Sequence, residues 1–176
     1  MIEIRSRFPI RPNAEDAVRV AGRLQLPFDR RQKTRQVARL VSGEQVAIAL
    51  PSGQVMRGGD WIVASDGRVI EVVAQAERVL HVVCASPTEL ARCAYHLGNR
   101  HVPVQVGDGW LRIAEDHVLV EMLKGLGAIV NAIDAPFEPE AGAYGSHGHG
   151  HDHASRAKIH EFGKDVVEGR AADLNK

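Results

Sequence analysis

The chain has 176 residues, enough for one domain or two small ones, and its 44% hydrophobic and 25% charged content is that of an ordinary soluble globular protein. Twenty-two Lys and Arg balance twenty-two Asp and Glu, which argues against a general binder of nucleic acid or of an anionic membrane surface, since either needs a basic excess. No apolar run approaches the ~18 residues of a membrane span, the N-terminus has no apolar signal core, and Cys84 and Cys93 form no C-x-x-C pair and read as buried thiols in a reducing compartment. The expected location is cytoplasmic.

The first part of the chain reads as strands. In "GEQVAIALPSGQVM", Val46, Ile48 and Leu50 recur at period two, and Pro51-Ser52-Gly53 supplies a turn before Val55. In "GGDWIVASDGRVIEVVA", Asp66-Gly67 is a tight hairpin signal between Ile62-Val63 and Val69-Ile70. Short strands broken by Gly and Pro, with no convincing helix, predict a small β-rich domain over residues 1–74. Its basic stretch "DRRQKTRQVAR" (Arg30, Arg31, Lys33, Arg35, Arg39) reads either as a dock for an acidic partner or as a solvated strand face.

The pattern changes near Glu77. "RVLHVVCA" is an apolar strand, and "SPTELARCAYHLG" is a helix with Ser86 as N-cap, Pro87 at the first position and Glu89 as capping-box partner. Leu90, Cys93, Ala94 and Leu97 make its buried stripe, and Gly98 is expected to take the left-handed conformation that ends it. "HVPVQV" and "WLRIAE" form a hairpin about Gly107-Asp108-Gly109. Asp116 caps a second helix whose stripe is Leu119, Met122, Leu123 and Leu126, with Gly125 and Gly127 at its end, and "AIVNAI" is a last strand. The order β-α-β-β-α-β predicts an α+β class overall, with a ferredoxin-like second domain over residues 75–144.

Residues 145–176 are expected to be a flexible tail containing the run "GSHGHGHDH". There His147, His149, His151 and His153 alternate with Gly148, Gly150 and Asp152. Alternate residues of an extended chain fall on one side, so neighbouring imidazoles converge on one ion, and glycine spacers let the backbone wrap around it. Imidazole is the commonest nitrogen ligand for Zn, Ni and Cu, and the run does not choose among them. Two further candidates lie in the folded part: His101, in the helix-to-strand connection "HLGNRH", and His117, at the start of the second helix. His96 reads as a structural or surface residue, His81 sits mid-strand and His160 is isolated in the tail.

Enzyme motifs are absent: there is no H-E-x-x-H, G-x-S-x-G, Walker A or G-x-G-x-x-G. Cys93 lies in a helix stripe with no base beside it. The strands "RVLHVVCA" and "VPVQV" lack the stacking aromatics of an RNA-binding sheet. From the residues alone, the expectation is a two-domain metal-binding protein that is not an enzyme.

"CAYHLGNRHVPVQV", "DHVLVEMLKGLG" and "PFEPEAGAY" followed by a His-rich tail resemble the UreE family of urease accessory proteins, which are nickel metallochaperones. "FDRRQKTR", "VAIALPSGQVMRGGDW" and "ERVLHV" resemble the family's first domain, so the likeness spans about residues 1–153. It implies a first domain akin to chaperone peptide-binding modules, a ferredoxin-like metal-binding domain and a homodimer through the latter. It implies that His101 from each protomer shares one Ni(II) across the two-fold axis, and that His117 matches a peripheral ligand of some members. Those members carry a histidine two positions earlier, where this chain has Glu115. Ni(II) would be cargo, with Zn(II) or Cu(II) as competitors. The implied partners are the urease accessory GTPase and the urease apoprotein complex, with no nucleic acid or membrane. The alternative reading is nickel or zinc storage, for which the histidine run alone suffices.

Overall fold

A computed structural model of the chain describes residues 2–7 and 19–141. Among the described residues, ten strands form two sheets, and the class is α+β with strands predominant. The histidine run and the rest of the expected tail lie outside the described residues.

The first sheet contains β1 (Ile2–Arg7), β2 (Val20–Leu26), β3 (Arg35–Arg39), β4 (Gln45–Ala49), β5 (Trp61–Ala64) and β6 (Val69–Ala74), in the order β2-β6-β5-β1-β4-β3. The period-two reading of β4 is met: Val46 and Ile48 are buried beside Leu50 in a core with Ile4, Leu24, Met56, Ile62, Ile70 and Val72. Asp66-Gly67 turns the β5–β6 hairpin, with Gly67 at φ +84°. The sheet curls so that its two edges approach, the Val41 N–H donating to the Arg23 carbonyl at 2.9 Å. A Cβ at Gly22 would lie 3.2 Å from the Leu40 side chain, so this approach favours glycine.

Two expectations for this region are corrected. A short helix, α1 (Phe28–Arg31), interrupts the strands where the sequence predicts no helix. Phe28 packs inward, and the local chain closes a single turn on the carbonyls of Pro27 and Phe28. The basic stretch is also not uniformly solvated. Arg35 and Arg39 are exposed on β3, whereas Arg31 is fully buried.

The second sheet contains β7 (Ala76–Val83), β8 (Gln105–Gly107), β9 (Trp110–Ala114) and β10 (Ile129–Pro136) in the order β10-β7-β9-β8, every neighbouring pair antiparallel. Helices α2 (Pro87–Gly98) and α3 (His117–Gly125) join β7 to β8 and β9 to β10. Leu80, Val82, Leu111 and Ile113 of the strands pack with Cys93 and Leu97 of α2 and Leu119 and Leu123 of α3. The expected helix stripes therefore face the sheet. β10 is longer than "AIVNAI", pairing with β7 from Ile129↔Val83 to Pro136↔Ala76.

The expected caps are present with one change of partner. The Ser86 hydroxyl accepts from the Glu89 N–H at 3.2 Å, but the Glu89 carboxylate reaches back to the Ala85 N–H at 3.1 Å. The Asp116 carboxylate accepts from Val118 and Leu119 at 2.8 and 3.3 Å. No helix among the described residues is long and apolar enough to cross a membrane.

Candidate metal centre

Strand direction decides where the folded histidines fall. β9 is antiparallel to both β7 and β8, so β7 and β8 run the same way and α2 must travel back along the sheet between them. The end of α2 and the connection carrying His101 thus lie at the end of the sheet where β7 begins. β9 runs toward that same end and delivers Glu115, Asp116 and His117. The topology brings His101 and His117, sixteen residues apart in sequence, to one end of the second sheet, and both are exposed.

The end of α2 differs from the sequence expectation. Gly98 is helical, and the left-handed residue is His101 at φ +55°, the only described non-glycine residue with positive φ. The Val102 N–H donates to the Leu97 carbonyl at 3.3 Å and the His101 N–H to the Gly98 carbonyl at 2.9 Å, the paired bonds of a Schellman ending with His101 as its left-handed member. Val102 packs into the same cluster as Leu97, which supplies the hydrophobic contact of that motif. Glycine at 98 satisfied the local rule, but the chain continues until Val102 can reach Leu97. Histidine is among the few non-glycine residues found in this region, at a cost of about 1–2 kcal/mol. The strained backbone presents an exposed histidine at a helix end closed by these two hydrogen bonds.

The groups around His117 are committed elsewhere. Asp116 is the helix cap, and Glu115 pairs with Arg78 at 3.6 Å, both side chains about half exposed. Among the described residues no three His, Cys, Asp or Glu side chains form a group able to hold a metal ion. Among the described residues, His101 and His117 therefore belong to no complete ligand set. The thiols are also withdrawn: Cys84 and Cys93 are buried, and burial pushes the Cys84 thiol up to about 11.

The other folded histidines have structural settings. His81 lies on the sheet face opposite the helices. Its Nδ1 accepts from Arg112 Nε at 3.4 Å, and its ring stands 5.2 Å from that of Trp110, over which Arg112 also stacks. Burial, then the Arg112 charge, holds His81 below the ordinary histidine range. His96 is half-buried against the Tyr95 ring, 5.4 Å away. His147, His149, His151, His153 and His160 lie outside the described residues.

Residue-by-residue reading missed the segment after β10. Phe137 is buried edge-on against Phe28 with ring centroids 5.4 Å apart. Glu138 Oε1 pairs with Arg31 at 2.7 Å and accepts from the Gly58 N–H at 2.7 Å, while Arg57 contacts Oε2 at 3.3 Å. Arg57 also donates to the Pro139 carbonyl at 2.6 Å, and Arg31 donates to the carbonyls of Leu26, Met56 and Phe137. The segment Phe137–Pro139 thereby clamps the second sheet to the first. Its signal was the quoted "PFEPEAGAY", which the resemblance used as a marker without a physical role.

Comparison with known proteins identifies the family of the chain. The model for the N-terminal domain of the UreE urease accessory protein matches residues 9–75, and that for its C-terminal domain matches residues 77–163. A urease accessory protein UreE of Nitrosospira multiformis is 52% identical over 147 residues, covering 84% of this chain and 83% of its own. One from Azotobacter vinelandii is 46% identical over 170 residues, covering 93% and 98%, and one from Burkholderia vietnamiensis is 51% identical over 147 residues, covering 81% and 74%. The comparisons place the chain in a family of accessory proteins. It belongs to the urease accessory protein UreE family, and that membership implies a role in urease maturation.

Proposed function

We propose that the chain is a nickel carrier that brings Ni(II) to the urease active site. The observation carrying this reading is the exposed, left-handed His101 at the end of α2, where the described residues supply no group of three ligands to enclose an ion. A second copy brought up by a two-fold axis supplies a second imidazole from the same residue, since an isologous contact needs one ligand per chain to make a pair. Two imidazoles underfill the coordination sphere of Ni(II), so the ion is held yet remains open to exchange, unlike a closed structural site. Tyr95 and Val118, exposed apolar side chains on α2 and α3, give this end of the sheet surface suited to such a contact.

The histidine run, His147, His149, His151 and His153, adds capacity with faster exchange. His117 is a peripheral ligand, weakened because Asp116 caps α3 and Glu115 pairs with Arg78. Zn(II) and Cu(II) compete for the same imidazoles, and by affinity alone Cu(II) would outrank Ni(II), so supply and geometry must set the cargo. We divide the chain into a β-rich domain over 1–74, a ferredoxin-like domain over 75–144, supported by the strand order β10-β7-β9-β8, and a flexible tail over 145–176. The partners in this reading are the urease accessory GTPase and the urease apoprotein complex, met in the cytoplasm.

Urease activation at limiting nickel tests the reading. Apo-urease with its other accessory proteins should gain activity when the loaded chain is added, and His101→Ala should abolish that gain. A storage protein would act through the run instead: His101→Ala would activate normally, and replacing the four run histidines would remove the effect.

A further inference from the structure

The connection that carries His101 is pinned on both sides. On its helical side the Val102 N–H is held by the Leu97 carbonyl. Pro103 follows, fixing its own φ and biasing Val102 toward extended backbone. On its strand side the Glu140 N–H donates to the Val104 carbonyl at 2.8 Å, and the Glu138 N–H donates to Gln105 Oε1 at 3.0 Å. Glu138 is itself held by Arg31, Arg57 and Gly58 of the first-sheet region, and Glu140 follows the clamp by one residue. A continuous set of bonds therefore runs from the buried Arg31 through Glu138 to Gln105, four residues from His101.

From this we propose that Gln105 and Glu138 are positioning residues for the metal centre: by tying the His101 connection to the first-sheet region, they hold the imidazole where a second copy can share its ion. The proposal rests on the reading of His101 as the central ligand. Gln105 touches no metal in this scheme. It acts through the backbone on which the ligand stands, as outer partners of metal ligands do elsewhere, where their loss typically weakens binding by about 10–100-fold. A left-handed histidine is the kind of conformation that needs such support, because a loosened connection can relax to an ordinary backbone region and carry the imidazole away.

The test uses the full chain with His147, His149, His151 and His153 replaced by alanine, so that the run does not mask the central ion. Nickel affinity by calorimetry, the absorption spectrum of bound Ni(II) and Tm are compared for this parent, for Gln105→Ala, which removes the acceptor for the Glu138 N–H, and for Gln105→Glu, which keeps it. Gln105→Ala should bind nickel about tenfold more weakly, with an altered Ni(II) spectrum and nearly unchanged Tm. Gln105→Glu should restore both affinity and spectrum. His101→Ala in the same background separates the two claims. If it abolishes binding while Gln105→Ala binds like the parent, the positioning role is overturned and the central ligand stands. If His101→Ala still binds, the central ligand is wrong and the positioning role falls with it. A Gln105→Ala chain that loses affinity only in proportion to a large fall in Tm, with no rescue by Gln105→Glu, also overturns the proposal.

Discussion

Glu138 and Arg31 are 107 residues apart in sequence, yet their side chains meet at 2.7 Å, the guanidinium fully buried and the carboxylate partly so. The guanidinium also serves three backbone carbonyls, from Leu26, Met56 and Phe137. Such a group is costly to bury and costlier to orphan, because removing one partner leaves the others desolvated and unpaired.

Arg31→Ala should therefore destabilise the protein by about 3 kcal/mol or more in chemical denaturation. The partly exposed Arg57–Glu138 pair contributes much less, within about 1 kcal/mol. A loss below about 1 kcal/mol for Arg31→Ala would show that the clamp is not a major source of stability.

This pair also marks where sequence reading stops. Strands such as β4 and helices such as α2 and α3 are legible because their periodicity, caps and turns are local: Val46 and Ile48, Ser86, Asp116, Asp66-Gly67. Arg31 sits in a run of charges that looks solvated, and only the return of the chain at Glu138 supplies the partner that buries it. The same holds at the helix end. Gly98 is the residue a local rule selects, but the helix closes where Val102 meets Leu97, which makes His101 the left-handed residue. His101 was legible as a candidate from its connection and motif; its strain was not, and neither was the role of Gln105.

At φ +55°, a glycine in place of His101 avoids the Cβ clash that an alanine retains. His101→Gly should be more stable than His101→Ala by about 1 kcal/mol. Thermal denaturation of the metal-free variants checks this; equal stability would mean that the left-handed backbone carries no appreciable strain.

Asp116 is a cap before it is anything else. Asp116→Ala should cost about 1 kcal/mol of stability, whereas Asp116→Asn, which caps equally well, should cost little. Neither should change nickel stoichiometry. Loss of an ion from the Asp116→Asn chain at unchanged stability would identify Asp116 as a ligand beside His117.

His81 supplies a pH dependence unrelated to metal. Its folded pKa lies below the ordinary 6.5, chiefly through burial and secondarily through Arg112. The unfolded chain therefore binds the proton more readily, and stability is lost as pH falls below about 6.5 toward the folded value. Urea denaturation with a chelator present should show a smaller acid loss for His81→Gln than for the parent. An identical pH profile would show that His81 is not a source of it.

The central claim is that one nickel ion is shared by two copies of His101. Native mass spectrometry at limiting nickel tests it most directly, using the full chain with His147, His149, His151 and His153 replaced by alanine, with and without His101→Ala. One ion per pair of chains in the first protein, and none in an intact pair of the second, is the result this account predicts. One ion per single chain, or an ion that survives His101→Ala, would contradict it.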